Sequence, residues 1–526
     1  MTLLRIENLS LKIRGIPILN DISMSLDEGR VLGVIGESGS GKSMTAFSIL
    51  QLLPKGSTTT GRLCVDGLDT LEASEEDLCK MRGNDVSIVF QEPMTALNPL
   101  KNIGQQVAES ILIHEPNTKR SDALERAQEA LQRCELPASR FPTTLYPHEL
   151  SGGQRQRVVI ALAIALRPKL LIADEPTTAL DVTTQAEILG LLKRLVEEDG
   201  MGLLLISHDL AVVADMADDI VIMKDGQIVE SGAAASIFQE LKHPYTRALY
   251  EASSHVPERT QQSARRPLLT VRDVVRDYQL PRRSLFSAPE HFRAVDHVSF
   301  EVFKGESVGL VGESGCGKST LTRAILGLEQ IQEGEVFLNG TVIQHGKQMK
   351  HSLRRQMQAV FQDPYGSFNP RHHVGRLISE PLHLLGEAMT TIDKQETIAA
   401  ALRAVGLTSD DQYKYIHEFS GGQRQRIAIA RALIVEPELI LLDEATSALD
   451  VSIRAQILDL LADLATTRGL TYLFISHDLS VVRSITDRVL VMSAGKIVEE
   501  GATNDVFERP RHAYTKELIA ASPTLP

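Results

Sequence analysis

Short unbroken apolar runs recur along the chain, and each ends in a polar motif. "VLGVI" at 31–35 leads into "GESGSGKS", and "SVGLV" at 307–311 leads into "GESGCGKS". "LLIADE" at 170–175 and "LILLDE" at 439–444 end in paired acids. "LLLIS" at 203–207 and "YLFIS" at 472–476 each deliver a histidine. Runs of this length, without polar alternation, predict strands buried inside a mainly parallel sheet. The stretch 103–134 is amphipathic and predicts helix. In "SGGQRQRVVIALAIAL" at 151–166 the serine predicts an N-cap for the helix that follows. Strands alternating with helices predict an α/β fold.

The pattern occurs twice. "SGGQRQR" stands at 151–157 and again at 420–426, 269 positions later. "ADEPTTALDV" (173–182) returns as "LDEATSALDV" (442–451), and "ISHDLAVV" (206–213) as "ISHDLSVV" (475–482), at the same offset. "FQEPMTALNP" (90–99) returns as "FQDPYGSFNP" (361–370), and "HPYTRAL" (243–249) as "HAYTKEL" (512–518). "LLRIENLS" (3–10) restarts as "LLTVRDVV" (268–275) after a polar stretch without apolar periodicity. Two copies of one domain are expected, at 1–254 and 268–526, joined by a linker at 255–267. The second copy carries extra residues, "PRRSLFSAPEHFR" (281–293), which read as a longer hairpin loop.

Composition narrows the class. The 526 residues carry 55 Lys plus Arg against 68 Asp plus Glu, a net charge of −13. A binder of phosphate backbone leans basic, so no nucleic-acid partner is expected. The longest strongly apolar run, Val158–Leu166, is too short to cross a bilayer. The four cysteines show no CxxC spacing, which predicts neither a disulfide framework nor a structural metal, and suits a reducing cytoplasm.

The glycine motifs read as P-loops: strand, glycine loop, helix. Gly36, Gly39 and Gly41, and Gly312, Gly315 and Gly317, let backbone N–H groups wrap phosphate. Lys42 and Lys318 are placed to reach the β and γ phosphates, and Ser43 and Ser319 to ligate Mg²⁺. Asp174 and Asp443 are placed to hold the metal, with Glu175 and Glu444 beside them to polarise an attacking water. His208 and His477, at one register after the acids, suit a γ-phosphate contact. Ser151, Gly152, Gly153 and Gln154, and their repeats Ser420, Gly421, Gly422 and Gln423, form a second anion grip that lacks a lysine. Cys316 lies within the second P-loop, where the helix dipole is expected to lower its pKa.

The order P-loop, glutamine, signature, Asp-Glu, histidine resembles the nucleotide-binding domain of ABC transporters, over nearly the whole chain and twice. The resemblance implies two tandem ABC-type P-loop NTPase domains, each with a mainly parallel core sheet, an antiparallel β subdomain and an α-helical signature subdomain. It implies that the domains pair head to tail on two ATP molecules. Gly36–Ser43 should then face Ser420–Gln423, and Gly312–Ser319 should face Ser151–Gln154. Gln91 and Gln362 resemble the glutamines that sense Mg²⁺ and the membrane partner, and Asp181 and Asp450 the D-loop residues linking the two sites. Tyr278 resembles the aromatic residue that stacks adenine; the first copy offers Ile13 or Arg14 there. The tails, and "NP" after each glutamine, are similar to the dipeptide and oligopeptide importer subfamily. Fused versions resemble the ATPases of microcin C and oligopeptide importers, with glutathione importers as the alternative. Implied partners are two integral membrane permease subunits and an extracytoplasmic substrate-binding protein. The chain would supply both ATPase domains and sit peripherally on the cytoplasmic face of the inner membrane. A soluble twin-cassette ATPase acting on ribosomes is the competing class; the short linker and the importer-type tails count against it.

Overall fold

The computed structural model describes residues 1–90, 96–178, 180–259, 266–279, 291–346, 349–363, 366–386, 389–447 and 449–525. Each half builds two sheets. In the first half, β1 (Thr2–Ile13), β2 (Ile16–Asp27), β4 (Ser57–Val65) and β5 (Leu68–Asp69) form an antiparallel sheet in the order β2-β1-β4-β5. The second sheet contains β3 (Val31–Ile35), β6 (Val86–Val89), β7 (Leu170–Asp174), β8 (Gly202–Ser207), β9 (Asp219–Lys224) and β10 (Gln227–Ala233). Its order is β10-β9-β3-β8-β7-β6, and every neighbouring pair is parallel except β9 with β10. All residues of β3, β7 and β8 are buried, which is why their sequences show no polar alternation.

The second half repeats the plan. β11 (Pro267–Gln279), β12 (His291–Phe303), β14 (Glu333–Leu338) and β15 (Thr341–Val342) form the antiparallel sheet, in the order β12-β11-β14-β15. β13 (Ser307–Val311), β16 (Met357–Val360), β17 (Leu439–Asp443), β18 (Thr471–Ile475), β19 (Arg488–Ser493) and β20 (Lys496–Ala502) form the core sheet, in the order β16-β17-β18-β13-β19-β20. The two orders are the same arrangement, so the sequence repeat is a structural repeat.

The amphipathic stretch before the first signature folds as helices Ile103–His114 and Arg120–Arg133. They pack through Val107, Ile111, Ala127 and Leu131 onto helix Gly152–Ile164, in one apolar cluster with β3, β7 and β8. The cluster also takes in Val451, and Leu525 packs against it, so both intrude from the second half. His255, the first residue of the linker, meets Asp459 of the second half at 2.6 Å. The linker's Arg259 docks on the second half, donating to Ser307 Oγ at 3.0 Å and to Asp487 at 3.1 Å. Among the described residues, no helix is long and apolar enough to cross a membrane. Gln91 and most of the long insert of the second half lie outside the described residues.

Candidate active site

The parallel sheets end where the polar motifs begin, so the motifs collect at the carboxyl ends of β3, β7 and β8 and of β13, β17 and β18. The P-loops turn between β3 and helix Lys42–Ile49, and between β13 and helix Lys318–Ile325. Gly36 has no room for a side chain: a Cβ there would lie 2.3 Å from the Met223 carbonyl oxygen. Gly41 has φ of 102°, the left-handed region, and starts the helix. Lys42 Nζ donates to the carbonyls of Gly36 at 2.6 Å and Glu37 at 3.0 Å. Lys318 repeats this on Gly312 at 2.6 Å and Glu313 at 2.8 Å. Burial lowers the Lys42 pKa against the pull of Glu175, Asp450 and Asp174. A partly desolvated cation inside a glycine loop is a seat for polyphosphate.

Glu175 and Glu444 leave their strands with φ of 50° and 51°, a conformation uncommon for glutamate. Backbone bonds hold them there: Glu175 N–H donates to Ile206 O at 2.9 Å, and Glu444 N–H to Ile475 O at 2.8 Å. The twist turns each carboxylate toward its histidine. His208 Nδ1 lies 3.2 Å from Glu175, and His477 Nδ1 lies 3.1 Å from Glu444. Burial opposes the Glu175 charge, but His208 and Thr178 overcome it and bring its pKa to about 2. Burial likewise opposes the His208 charge, and Glu175 raises that pKa on balance. Glu444 is also lowered, by His477 against burial.

The neighbouring aspartates behave oppositely. Burial pushes the Asp174 pKa up, tempered by a hydrogen bond from Ser43. Burial and Glu444 push Asp443 up to about 6. A buried carboxylate disfavoured as an anion, touching the P-loop serine, fits a divalent cation that would restore its charge. Among the described residues no three His, Cys, Asp or Glu side chains cluster as metal ligands.

The signature serines cap their helices as expected. Ser151 Oγ accepts from Gln154 N–H at 3.3 Å, and Ser420 Oγ from Gln423 N–H at 3.4 Å. The glutamines answer by accepting the serine N–H, at 3.0 Å in both halves. Gly153 faces Thr184, and Gly422 faces Ile453, each in the first turn of its own half's D-loop helix. From the caps of those helices Asp181 and Asp450 reach the opposite P-loops: Asp450 accepts Ser38 N–H at 2.8 Å, and Asp181 accepts Ser314 N–H at 3.2 Å. The structure thus brings the D-loop aspartate of each half onto the P-loop of the other.

Between the halves lies a cavity of about 390 Å³, lined by His208 and Asp209 of one half and by Arg454, His477 and Asp478 of the other. Arg454 pairs with Asp478 at 2.7 Å. The sequence reading did not single out Arg454; its counterpart in the first copy is Gln185, a difference visible only after the repeats are aligned.

The expected adenine platforms differ. The Tyr278 hydroxyl bonds Glu329 and lies 3.4 Å from Thr320 Oγ1, with the Arg276 guanidinium 4.5 Å over its ring. In the first half Ile13, Arg14, Ile16, Ile18, Pro54 and Lys55 line an open recess without an aromatic ring. Gln362 is exposed, and Gln91 lies outside the described residues. Cys316 corrects an expectation: burial raises its thiol pKa despite Lys318 and the helix behind it. The loop that wraps phosphate also shields the sulfur from water, and desolvation of the thiolate exceeds the dipole's help.

Comparison with known proteins agrees with this geometry. The family model described as "ABC transporter" matches residues 19–178 and 295–447. A second, "Oligopeptide/dipeptide transporter, C-terminal region", matches 229–272 and 498–526. The chain is 43% identical to the glutathione import ATP-binding protein GsiA of Escherichia coli (strain K12), covering 99% of this chain and 89% of that protein. It is 44% identical to the protein of that name from Shigella dysenteriae serotype 1 (strain Sd197), with the same coverage. Among solved structures, the ATP-binding cassette MJ0796 bound to ADP and Pi is 31% identical, with a TM-score of 0.40, over 44% of this chain and 98% of that one. With two matched cassettes and whole-length relatives, the chain belongs to the ABC transporter family as an ATP-binding, ATP-hydrolysing protein with both cassettes in one polypeptide.

Proposed function

We propose that the chain drives uptake of peptides or peptide-like compounds, glutathione among them, through two separate integral membrane permeases supplied by an extracytoplasmic binding protein. The observation that carries this reading is the peptide-transporter C-terminal region, matched once behind each cassette. The relatives are named as glutathione import ATP-binding proteins, which supports including glutathione in that class. In this reading the units 1–254 and 268–526 sit peripherally on the cytoplasmic face of the inner membrane.

Each ATP lies between one P-loop and the opposite signature. Gly36–Ser43 works with Ser420–Gln423, and Gly312–Ser319 with Ser151–Gln154. Lys42 and Lys318 turn from their own loop carbonyls to the β and γ phosphates. Signature N–H groups at the helix start receive the γ-phosphate from across the interface. Glu175 and Glu444 polarise the attacking water, and His208 and His477 hold those carboxylates in place while facing the γ-phosphate. Ser43 with Asp174, and Ser319 with Asp443, would hold Mg²⁺, joined by Gln91 and Gln362. The cation would neutralise charge on the phosphate oxygens. Tyr278 stacks the adenine of the second site.

The test is reconstitution. The chain should co-purify from membranes with two integral subunits and not with ribosomes, and peptide uptake into vesicles should require ATP. Glu175→Gln together with Glu444→Gln should cut turnover by about a hundredfold or more while ATP still binds. Wild-type turnover in that double variant would refute the roles given to the glutamates, and sedimentation with ribosomes would refute the importer.

A further inference from the structure

The two tail motifs, "HPYT" at 243–246 and "HAYT" at 512–515, do more than mark a subfamily. Each opens a helix, Pro244–Ser253 or Ala513–Ala520, that follows the last strand of its half. The histidine caps it: His243 Nδ1 accepts Tyr245 N–H at 3.1 Å, and His512 Nδ1 accepts Tyr514 N–H at 3.2 Å. A glutamate of the last strand ties the turn before the helix. Glu230 accepts the N–H groups of Lys242 and His243, each at 3.1 Å. Glu499 accepts those of Arg511 and His512, at 2.8 and 3.0 Å. These bonds fix where the tyrosine leaves the backbone.

Both tyrosines end on a P-loop. The Tyr245 hydroxyl accepts Glu37 N–H at 3.3 Å, and the Tyr514 hydroxyl accepts Glu313 N–H at 2.8 Å. The same two residues give their carbonyls to Lys42 and Lys318. The next amides, Ser38 N–H and Ser314 N–H, go to the opposite half's Asp450 and Asp181. Residue 37, and likewise 313, is therefore gripped on its N–H by the tail and on its carbonyl by the P-loop lysine.

We propose that Tyr245 and Tyr514 are positioning residues of the two ATP sites, each holding the first peptide of its P-loop in place when the lysine leaves the loop carbonyls for phosphate. Two independently placed copies of the bond carry the inference. The chemistry suits the task. Burial raises the Tyr245 pKa to about 12, with the Glu37 carboxylate adding to it, and burial raises Tyr514 likewise. Each phenol thus stays neutral across any working pH and places no anion beside the triphosphate. Without the hydroxyl, the Gly36–Glu37 or Gly312–Glu313 peptide has no partner on its N–H when the lysine leaves its carbonyl, and the loop must be reordered at the moment ATP binds. That penalty falls on binding and not on the chemical step.

The inference rests on ATP occupying the P-loops, a reading that saturable MgATP hydrolysis by the wild-type chain tests separately. Tyr245→Phe and Tyr514→Phe, singly and together in the full chain, keep the ring and remove the acceptor. Each should raise KM for MgATP about two- to tenfold, the worth of one hydrogen bond, with kcat nearly unchanged. Leu249→Ala and Leu518→Ala truncate buried residues of the same helices that do not bond the P-loop. They should lower thermal stability and leave KM alone. An unchanged KM in the Phe variants overturns the proposal. So does a loss confined to kcat, which would place the tyrosines' effect on the chemical step, or a KM rise that the Leu→Ala variants reproduce, which would make the tail merely structural.

Discussion

At the scale of single residues, the site is a set of charges whose states are set by their neighbours. Glu175 and His208 share a proton-dependent bond, and its two partners shift in opposite directions. The depressed glutamate contributes stability above its ordinary pKa and loses it as pH falls through about 2. The raised histidine contributes stability below its ordinary 6.5 and loses it as pH rises through its folded value. The pair is therefore strongest in mildly acid solution and fails on the alkaline side. His208→Gln should lower the thermal midpoint most below about pH 6.5, with the gap from wild type closing as pH rises past the histidine's raised folded value. A gap that is constant over that range would show that the pair carries no charge. The identities of these residues were legible in the sequence, because paired acids after an apolar run and a histidine after the next run are local patterns. Their electrostatics were not. Cys316 shows why: its place before a helix is visible in one dimension, but its burial is set by the whole loop.

At the scale of elements, most of what positions the site is a helix end. The strands were legible because burial on both faces removes polar alternation, and the signature caps because serine and glutamine three residues apart write the capping box directly. The link that Asp181 and Asp450 make between the two sites was legible through the family resemblance and not from the residues around them. Their reach to the other half's P-loop spans up to 412 positions and follows from how the halves pack, not from any local pattern. The two caps also differ. Asp181 accepts Thr184 N–H at 3.0 Å while it holds Ser314, whereas Asp450 holds Ser38 without capping its own helix. Replacing Asp181 with alanine should thus cost the helix Val182–Asp199 an N-cap, worth about 0.5–2 kcal/mol, in addition to the cross-contact. Replacing Asp450 with alanine should cost the cross-contact alone. Chemical denaturation of the two variants checks this: equal destabilisation would mean that the Asp181 cap has no energetic weight. The tail tyrosines are the other element missed at first reading. The repeated spacing H-x-Y-T was in plain view, but a tyrosine's partner 201 or 208 positions away is not written in its surroundings.

At the scale of the molecule, a fused pair is free to let its two sites diverge, since each half is encoded once and no symmetry operator forces them to match. Several differences already lie at the nucleotide sites. Arg454 faces Asp478 where the first half has Gln185, and Thr320 follows the second P-loop serine where the first has Met44. The difference with the clearest energetic sign is at the adenine platform. Tyr278 is braced by Glu329 and by the Arg276 guanidinium over one face, so a purine on the opposite face would complete a cation–ring–base stack. The first half offers Ile13 and Arg14 beside an open recess of about 320 Å³. An apolar lid or a mobile guanidinium recovers part of what a fixed ring supplies, but base–aromatic stacking is worth about 1–3 kcal/mol, or about five- to 150-fold in affinity. The site built on Lys318 should therefore bind ATP about tenfold more tightly than the site built on Lys42. Lys42→Ala and Lys318→Ala each cripple one P-loop, and titration of the two variants with a fluorescent ATP analogue compares the survivors. Lys42→Ala, which keeps the Tyr278 site, should bind more tightly, and adding Tyr278→Ala to it should remove the difference. Equal affinity of the two single variants would mean that the recess of the first half holds adenine as well as the tyrosine does.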